Sequence, residues 1–138
     1  MSGMSESTPA PRVVVGRDQF LKPLPRTVED VAVPEFGEGC VIPVCSMYTN
    51  ERNEYEAYFT LANGKANMSK LRNVRQSLVV ACCRDDAGQP LFTLADIAAI
   101  ATQHSVVVER LVEAAMRLNH MKSDVEKLEK NSEATDAA

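Results

Sequence analysis

The chain has 138 residues, of which 45% are hydrophobic, 25% are charged and only 5% are aromatic, and its formal net charge is −4. This length allows one domain with a modest, mainly aliphatic core. No run of about 18 apolar residues is present to span a bilayer, and residues 1–10 lack the basic-then-apolar order of a secretory signal, so we expect a cytoplasmic protein without a membrane segment.

Residues 1–27 are predicted to form a flexible arm. Ser, Pro and scattered charges surround one apolar patch, Val13 to Val15, and Pro23 and Pro25 prevent a helix beyond it. The patch could dock as an added strand on a sheet edge. Three residues are short for that role, so we favour a loose arm.

Two runs of β-branched residues predict a β-hairpin over residues 28–46. The runs flank a segment rich in Pro and Gly at residues 34–39, and their apolar members are Val28, Val31 and Val33, then Val41, Ile42 and Val44. A two-stranded hairpin is only marginally stable in water. Its apolar face must therefore pack on helices, or its edge must pair with another subunit.

Four helices are predicted to follow, at about residues 50–62, 67–83, 94–103 and 105–130. Thr49 or Asn50 can cap the first helix, and the segment 85–90, which contains Asp, Gly and Pro, is a strong turn after the second. Thr93 and Asp96 then have the spacing of a capping box at the start of the third.

The last predicted helix carries a sustained heptad seam, in which apolar residues alternate steps of four and three: Val107, Leu111, Ala114, Leu118, Met121, Val125 and Leu128. At 1.5 Å per residue this seam extends over about 30 Å, which is more than a small core covers. We therefore expect the helix to project past the core, and the seam to bind another protein.

Together these patterns predict a mainly α protein of the α+β class. We expect a flexible arm over residues 1–27, one compact domain over 28–120, and a projecting helix end over 121–138 whose last part, from Asn131, is disordered. The compact domain would contain the hairpin and about four helices.

Charge is unevenly distributed, because the segment from Asn67 to Arg84 contains Lys70, Arg72 and Arg75 and no acid. These three residues are candidates for an electrostatic contact with a charged partner or a second copy. A solvated helix face is the simpler interpretation. The acidic overall charge argues against nucleic acid as the partner.

No constellation in the chain indicates catalysis, a metal or a cofactor. The segment 85–96 lacks the ligand spacing of a calcium loop, and His104 and His120 lie too far apart along a helix to share a metal. The cysteines are spaced for neither zinc nor redox chemistry and are expected to be free thiols: Cys40, Cys45, Cys82 and Cys83. We predict a protein that is not an enzyme.

Several short phrases occur in a distinctive order. They are Val-x-Val-Pro-Glu-Phe-Gly in the hairpin, a Glu-rich first helix, Leu78 to Ala81, Asp85 to Gly88, Leu91-Phe92, Asp96, and Leu118-Asn119 near the end of a final helix. In this order the chain resembles tail assembly chaperones of long-tailed bacteriophages, over roughly Val28 to Asn119.

The resemblance implies that the chain binds the tape-measure protein and keeps it soluble while the tail tube is assembled in the host cytoplasm. It also implies the tail tube protein as a further partner, and we expect a homo-oligomer formed through the last helix or the hairpin edge. Met116 and Met121 would let the seam adapt to several apolar sequences. The alternative is a structural or adaptor protein that oligomerises through the heptad helix and remains in the assembly.

Overall fold

The computed structural model describes residues 10–137, with only the backbone described for Ser123 and for residues 132–137. The hairpin strands are β1 (Val28–Ala32) and β2 (Val41–Cys45), joined by a 3-10 turn at Pro34–Phe36. The helices are α1 (Arg17–Leu21), α2 (Thr49–Ala57), α3 (Met68–Leu71), α4 (Val74–Cys82), α5 (Ile97–Ile100), α6 (Ser105–Asn119) and α7 (Lys122–Ala137). Within this part of the chain, no helix is both long and apolar enough to cross a bilayer.

The predicted class is confirmed: helices dominate, and the strands form an antiparallel hairpin in which Asp30 lies opposite Pro43. The Pro43 carbonyl accepts the Arg84 N–H at 3.0 Å on the side of β2 that faces away from β1. A proline is tolerated there because its missing N–H would not have paired with β1. Cys83 also bridges Val44, so the chain after α4 extends the sheet by a short third segment.

The core lies between the inner face of the hairpin and the helices behind it. Val31 and Val44 are buried against a cluster that includes Leu78 of α4 and Val112 of α6. The hairpin is thus stabilised by helix packing, which was one of the two outcomes expected for it.

The four predicted helices correspond to α2, to α3 with α4, to a 3-10 turn at Leu94–Asp96 with α5, and to α6 with α7. The prediction of a single helix over residues 67–83 was wrong, because the chain leaves helical geometry at Asn73, with φ −103° and ψ 21°. Asn bonds readily to local groups in non-helical conformations. The break places both Leu71 and Val74 in the core.

The single helix predicted over 105–130 was also wrong, and so was its projection past the core. α6 ends at Asn119, and His120 adopts the left-handed conformation, with φ 52° and ψ 48°. The Met121 N–H then bonds to the Met116 carbonyl at 3.0 Å, as in a helix C-terminal cap. α7 turns back against α3, α4 and α6. Its backbone is helical to Ala137, across part of the predicted tail.

The arm joins the fold at residues 24–27. The Tyr48 hydroxyl donates to the Leu24 carbonyl at 2.7 Å, and the Thr27 N–H donates to Ser46 Oγ at 2.9 Å. Residues 10–25 are all exposed. They include the short helix α1, so the expectation that Pro23 and Pro25 would prevent any helix after Val15 was wrong. Residues 1–9 lie outside the described part, and the flexibility of the arm stays a prediction.

Candidate protein-binding surface

The heptad seam is part of the interior. Five of its seven members are buried, namely Val107, Leu111, Ala114, Met121 and Val125, and Leu118 and Leu128 are half-buried against the same core. The distal part of the seam, which was expected to need a partner, lies in and just before α7 and packs on the chain's own core because α7 turns back. The seam therefore does not form an exposed surface in this structure.

The basic segment also faces the chain's own groups. Arg75 of α4 pairs with Glu109 of α6, and its Nε lies 2.5 Å from Glu129 of α7. The Lys70 ammonium lies 4.6 Å from the centre of the Tyr58 ring, while Arg72 is exposed. The charge separation seen in the sequence thus helps to hold α7 against α4. A search for complementary charge between these two segments would have indicated the fold-back.

An apolar groove of about 620 Å³ lies between the hairpin, the segment 91–103 and α6. Its walls come from the hairpin, from α4, from the segment 91–103 and from the first half of α6: Val33, Phe36, Cys40, Val41, Ile42, Val79, Leu91, Phe92, Asp96, Ala99, Ile100, Gln103, Val107, Val108 and Leu111. Only Val107 and Leu111 of the predicted seam line it. Sequence reasoning missed the rest because they come from four separate segments.

The rim of this groove exposes large apolar side chains. Phe36, Val41 and Leu91 are 58%, 46% and 40% exposed. The polar residues beside them are already bonded, since an Asp96 oxygen accepts the Thr93 N–H at 2.8 Å and Gln103 Oε1 accepts the His104 N–H at 2.8 Å. The groove therefore suits apolar side chains of a partner better than a polar ligand.

The predicted turn at Asp85 fixes one wall of the groove. Asp85 Oδ1 accepts the N–H groups of Ala87 and Gln89, so this carboxylate shapes a turn. The turn returns the chain to the sheet, where the Leu91 N–H bonds to the Cys83 carbonyl at 3.1 Å. Leu91 and Phe92 are thereby held beside the hairpin.

A half-buried ion cluster secures the scaffold at the other end of the hairpin. Both Glu51 oxygens accept from Arg26 at 2.6 Å, and Arg84 contacts the same carboxylate at 2.9 Å. The Arg26 hydrogen bonds lower the pKa of Glu51 to about 2. Glu51 also accepts the Tyr48 N–H at the start of α2, so one carboxylate connects the arm, α2 and the end of α4.

Asn119 of the Leu118-Asn119 phrase is a second polar connection. Its Oδ1 accepts the Met47 N–H at 2.7 Å, and its Nδ2 donates to the Ala115 carbonyl at 2.9 Å. Arg52 of α2 donates to the Asn119 carbonyl at 3.3 Å. The end of α6 is therefore tied to the segment that follows the hairpin and to α2.

The thiols and imidazoles are not arranged as a reactive centre. All four cysteines are free, and burial raises the pKa of both Cys82 and Cys83 to about 12, which disfavours the nucleophilic thiolate. Among residues 10–137, no group of three His, Cys, Asp or Glu side chains is placed to hold a metal ion.

A scan against models of protein families found no match for the chain, and a search of curated proteins also found none. Among solved structures, the chain is similar to one described as the tail assembly chaperone of bacteriophage HK97. The identity is 20% and the TM-score is 0.49, and the similarity covers 70% of this chain and 85% of that chain.

Proposed function

We propose that this protein is a tail assembly chaperone of a long-tailed bacteriophage. In this role it binds apolar helical stretches of the tape-measure protein and keeps them soluble during assembly of the tail tube. The observation that carries the proposal is the groove, whose rim exposes Phe36, Val41 and Leu91. The tail assembly role itself is taken from the sequence phrases that resemble this family.

Those phrases contribute to the groove and its support. Phe36, in the hairpin phrase, and Leu91-Phe92 line the groove, and Asp85 shapes the turn that holds Leu91 beside the sheet. Asn119 fixes the end of α6, the helix that forms the opposite wall. The resemblance and the surface therefore involve the same residues.

A helix is the partner segment that fits such a surface. An amphipathic helix presents apolar side chains at steps of three and four, and grooves between packed elements bind these side chains in rows. The rim residues are only about half exposed, so one groove offers modest apolar area and modest affinity. Many copies along one long helical protein would give stable coverage without high affinity at each site.

The alternative of an adaptor that oligomerises through its heptad helix has less support. That helix is divided at His120, and Met121 and Val125 beyond the break are buried. The two functions also differ in their final location, because an adaptor would be present in purified particles and a chaperone would not.

The proposal can be tested by co-expressing the tape-measure protein with this chain and measuring how much of it is recovered in soluble complex. Leu91→Asp places a charge on the groove rim and should reduce recovery about tenfold or more, since the charge would be desolvated in the complex. Leu61→Asp is the matched control, because Leu61 is 43% exposed against 40% for Leu91 and lies outside the groove. Equal recovery with the two variants would refute the groove as the binding site.

If neither variant nor the unchanged chain recovers the tape-measure protein, the chaperone function itself fails. Co-expression with the tail tube protein in the same format tests the second expected partner. Capture of that protein alone, with the same loss in Leu91→Asp, would retain the groove but change the partner.

A further inference from the structure

The N-terminal arm is unusually apolar for an exposed segment. Val13 and Phe20 are 85% and 79% exposed, and Val14, Val15, Leu21 and Leu24 are also exposed. Soluble monomers seldom present so many large apolar side chains in one short stretch, and such stretches commonly mark contact sites. The groove proposed above does not include any of these residues.

β1 has an open edge. The Val33 N–H bonds to the Cys40 carbonyl, and the Ser46 N–H bonds to the Thr27 carbonyl. With the hairpin register, these two bonds show that the backbone groups of alternate β1 residues bond to β2, and that those of the residues between them point away from it. The residues directed away are Val28, Asp30 and Ala32. Arg110 donates to the Ala32 carbonyl at 3.0 Å, but within residues 10–137 no hydrogen-bond partner is found for the outward backbone groups of Val28 and Asp30.

The hairpin and the arm carry opposite charge. The hairpin, residues 28–45, contains four acids and no base: Glu29, Asp30, Glu35 and Glu38. Arg117 pairs with Glu29 and Arg110 pairs with Glu35, which leaves Asp30 and Glu38 without an ion pair in the described part of the chain. Residues 10–25 contain three bases, Arg12, Arg17 and Lys22, and one acid, Asp18, for a net charge of +2.

We propose that the arm of one copy adds to the β1 edge of a second copy, with Val13 to Val15 pairing as a short extra strand. Main-chain hydrogen bonds to Val28 and Asp30 would supply the pairing, as in other cases of strand addition. The basic arm residues would lie beside the unpaired acids of the hairpin. This contact is independent of what the groove binds.

A second copy fits this role better than the chain's own arm. Leu24 and Arg26, which lie just before β1, are hydrogen-bonded to Tyr48 and Glu51 of the same chain. Pro23 and Pro25 restrict the backbone there to extended conformations, which disfavours the reversal that would return Val13 to its own strand. Each copy then offers one arm and one edge, so association proceeds head to tail.

The first test is the mass of the full chain in solution, measured by sedimentation velocity over a wide range of protein concentration. The unchanged chain should form species of two or more copies, and Val14→Pro should weaken association about tenfold or more, because it removes a strand N–H. Ala10→Pro is the matched control, since it alters the same exposed arm outside the proposed strand. A monomeric unchanged chain, or equal association of the two variants, would overturn the proposal.

A mixing experiment separates pairing between copies from other modes of association. Asp30→Lys places a base on the edge and should repel the basic arm, while the hairpin's own hydrogen bonds are kept. Val14→Pro and Asp30→Lys should each be largely monomeric alone. Their mixture should form a two-chain complex, because the intact arm of one can dock on the intact edge of the other. A mixture that stays monomeric would overturn the proposal.

Discussion

The burial of Met121 gives the sharpest test of how the last two helices are arranged. If α6 and α7 were one projecting helix, the Met121 side chain would lie on an outer surface, whereas here it is 1% exposed. Met121→Ala would therefore leave a cavity in the core. Such truncations lower the free energy of unfolding by about 2–5 kcal/mol, out of a total of about 5–15 kcal/mol for a domain of this size.

The assay is urea unfolding followed by circular dichroism, and the chain offers a matched control. Met68→Ala makes the same change at a methionine that is 45% exposed, so it should cost less than about 1 kcal/mol. The denaturant slopes of the variants should match, so that the midpoints report stability. A Met121→Ala loss as small as that of Met68→Ala would refute the folded-back arrangement.

Three further predictions follow from other contacts. The pKa of Glu51 is lowered from 4.5 to about 2, so the stability that this carboxylate contributes is present above about pH 4.5 and is lost as the pH falls toward 2. Glu51→Gln should therefore remove up to about 3 kcal/mol of stability at neutral pH. It should also flatten the acid dependence of stability measured in urea titrations. His120→Val should destabilise the fold by about 1–2 kcal/mol in thermal unfolding, because a β-branched residue resists the left-handed backbone, whereas His120→Gly should cost less. In native protein a thiol reagent should modify the half-buried Cys40 first, and Cys82 and Cys83 should react only on unfolding; early reaction of the latter pair would contradict their burial.

The hairpin was predictable because its signals are local. Val31 of β1 is buried between the exposed Asp30 and Ala32, as expected for a strand with one buried face, and the Pro and Gly of the turn follow it in sequence. The capping box of Thr93 and Asp96 was likewise found from spacing, because its two partners are three residues apart.

The break at His120 was not predictable from periodicity. Met121 and Val125 fit the apolar pattern whether the chain continues as one helix or turns back, because their spacing in the sequence is the same for both arrangements. His adopts the left-handed conformation far less often than Gly does, so His120 gave a much weaker signal of a helix end than a Gly would have given. The break is determined by packing against α3 and α4, which are distant in sequence.

The groove was missed for the same reason. Its walls combine Phe36, Leu91, Ile100 and Val108, which are far apart in the chain and occupy four different segments. Each was recognisable as apolar, but their common surface depends on the turn at Asp85 and on the short bridge between Cys83 and Val44.

Pro43 has a consequence for aggregation. Amyloid-like stacking requires strands whose two edges both accept further strands, so that growth can repeat without limit. Here the outer side of β2 lacks one donor at Pro43 and is occupied by Arg84, while only the β1 side is open. The sheet can therefore recruit a strand on one flank alone. Repeated strand addition through both edges of the hairpin, which fibril growth needs, is therefore disfavoured.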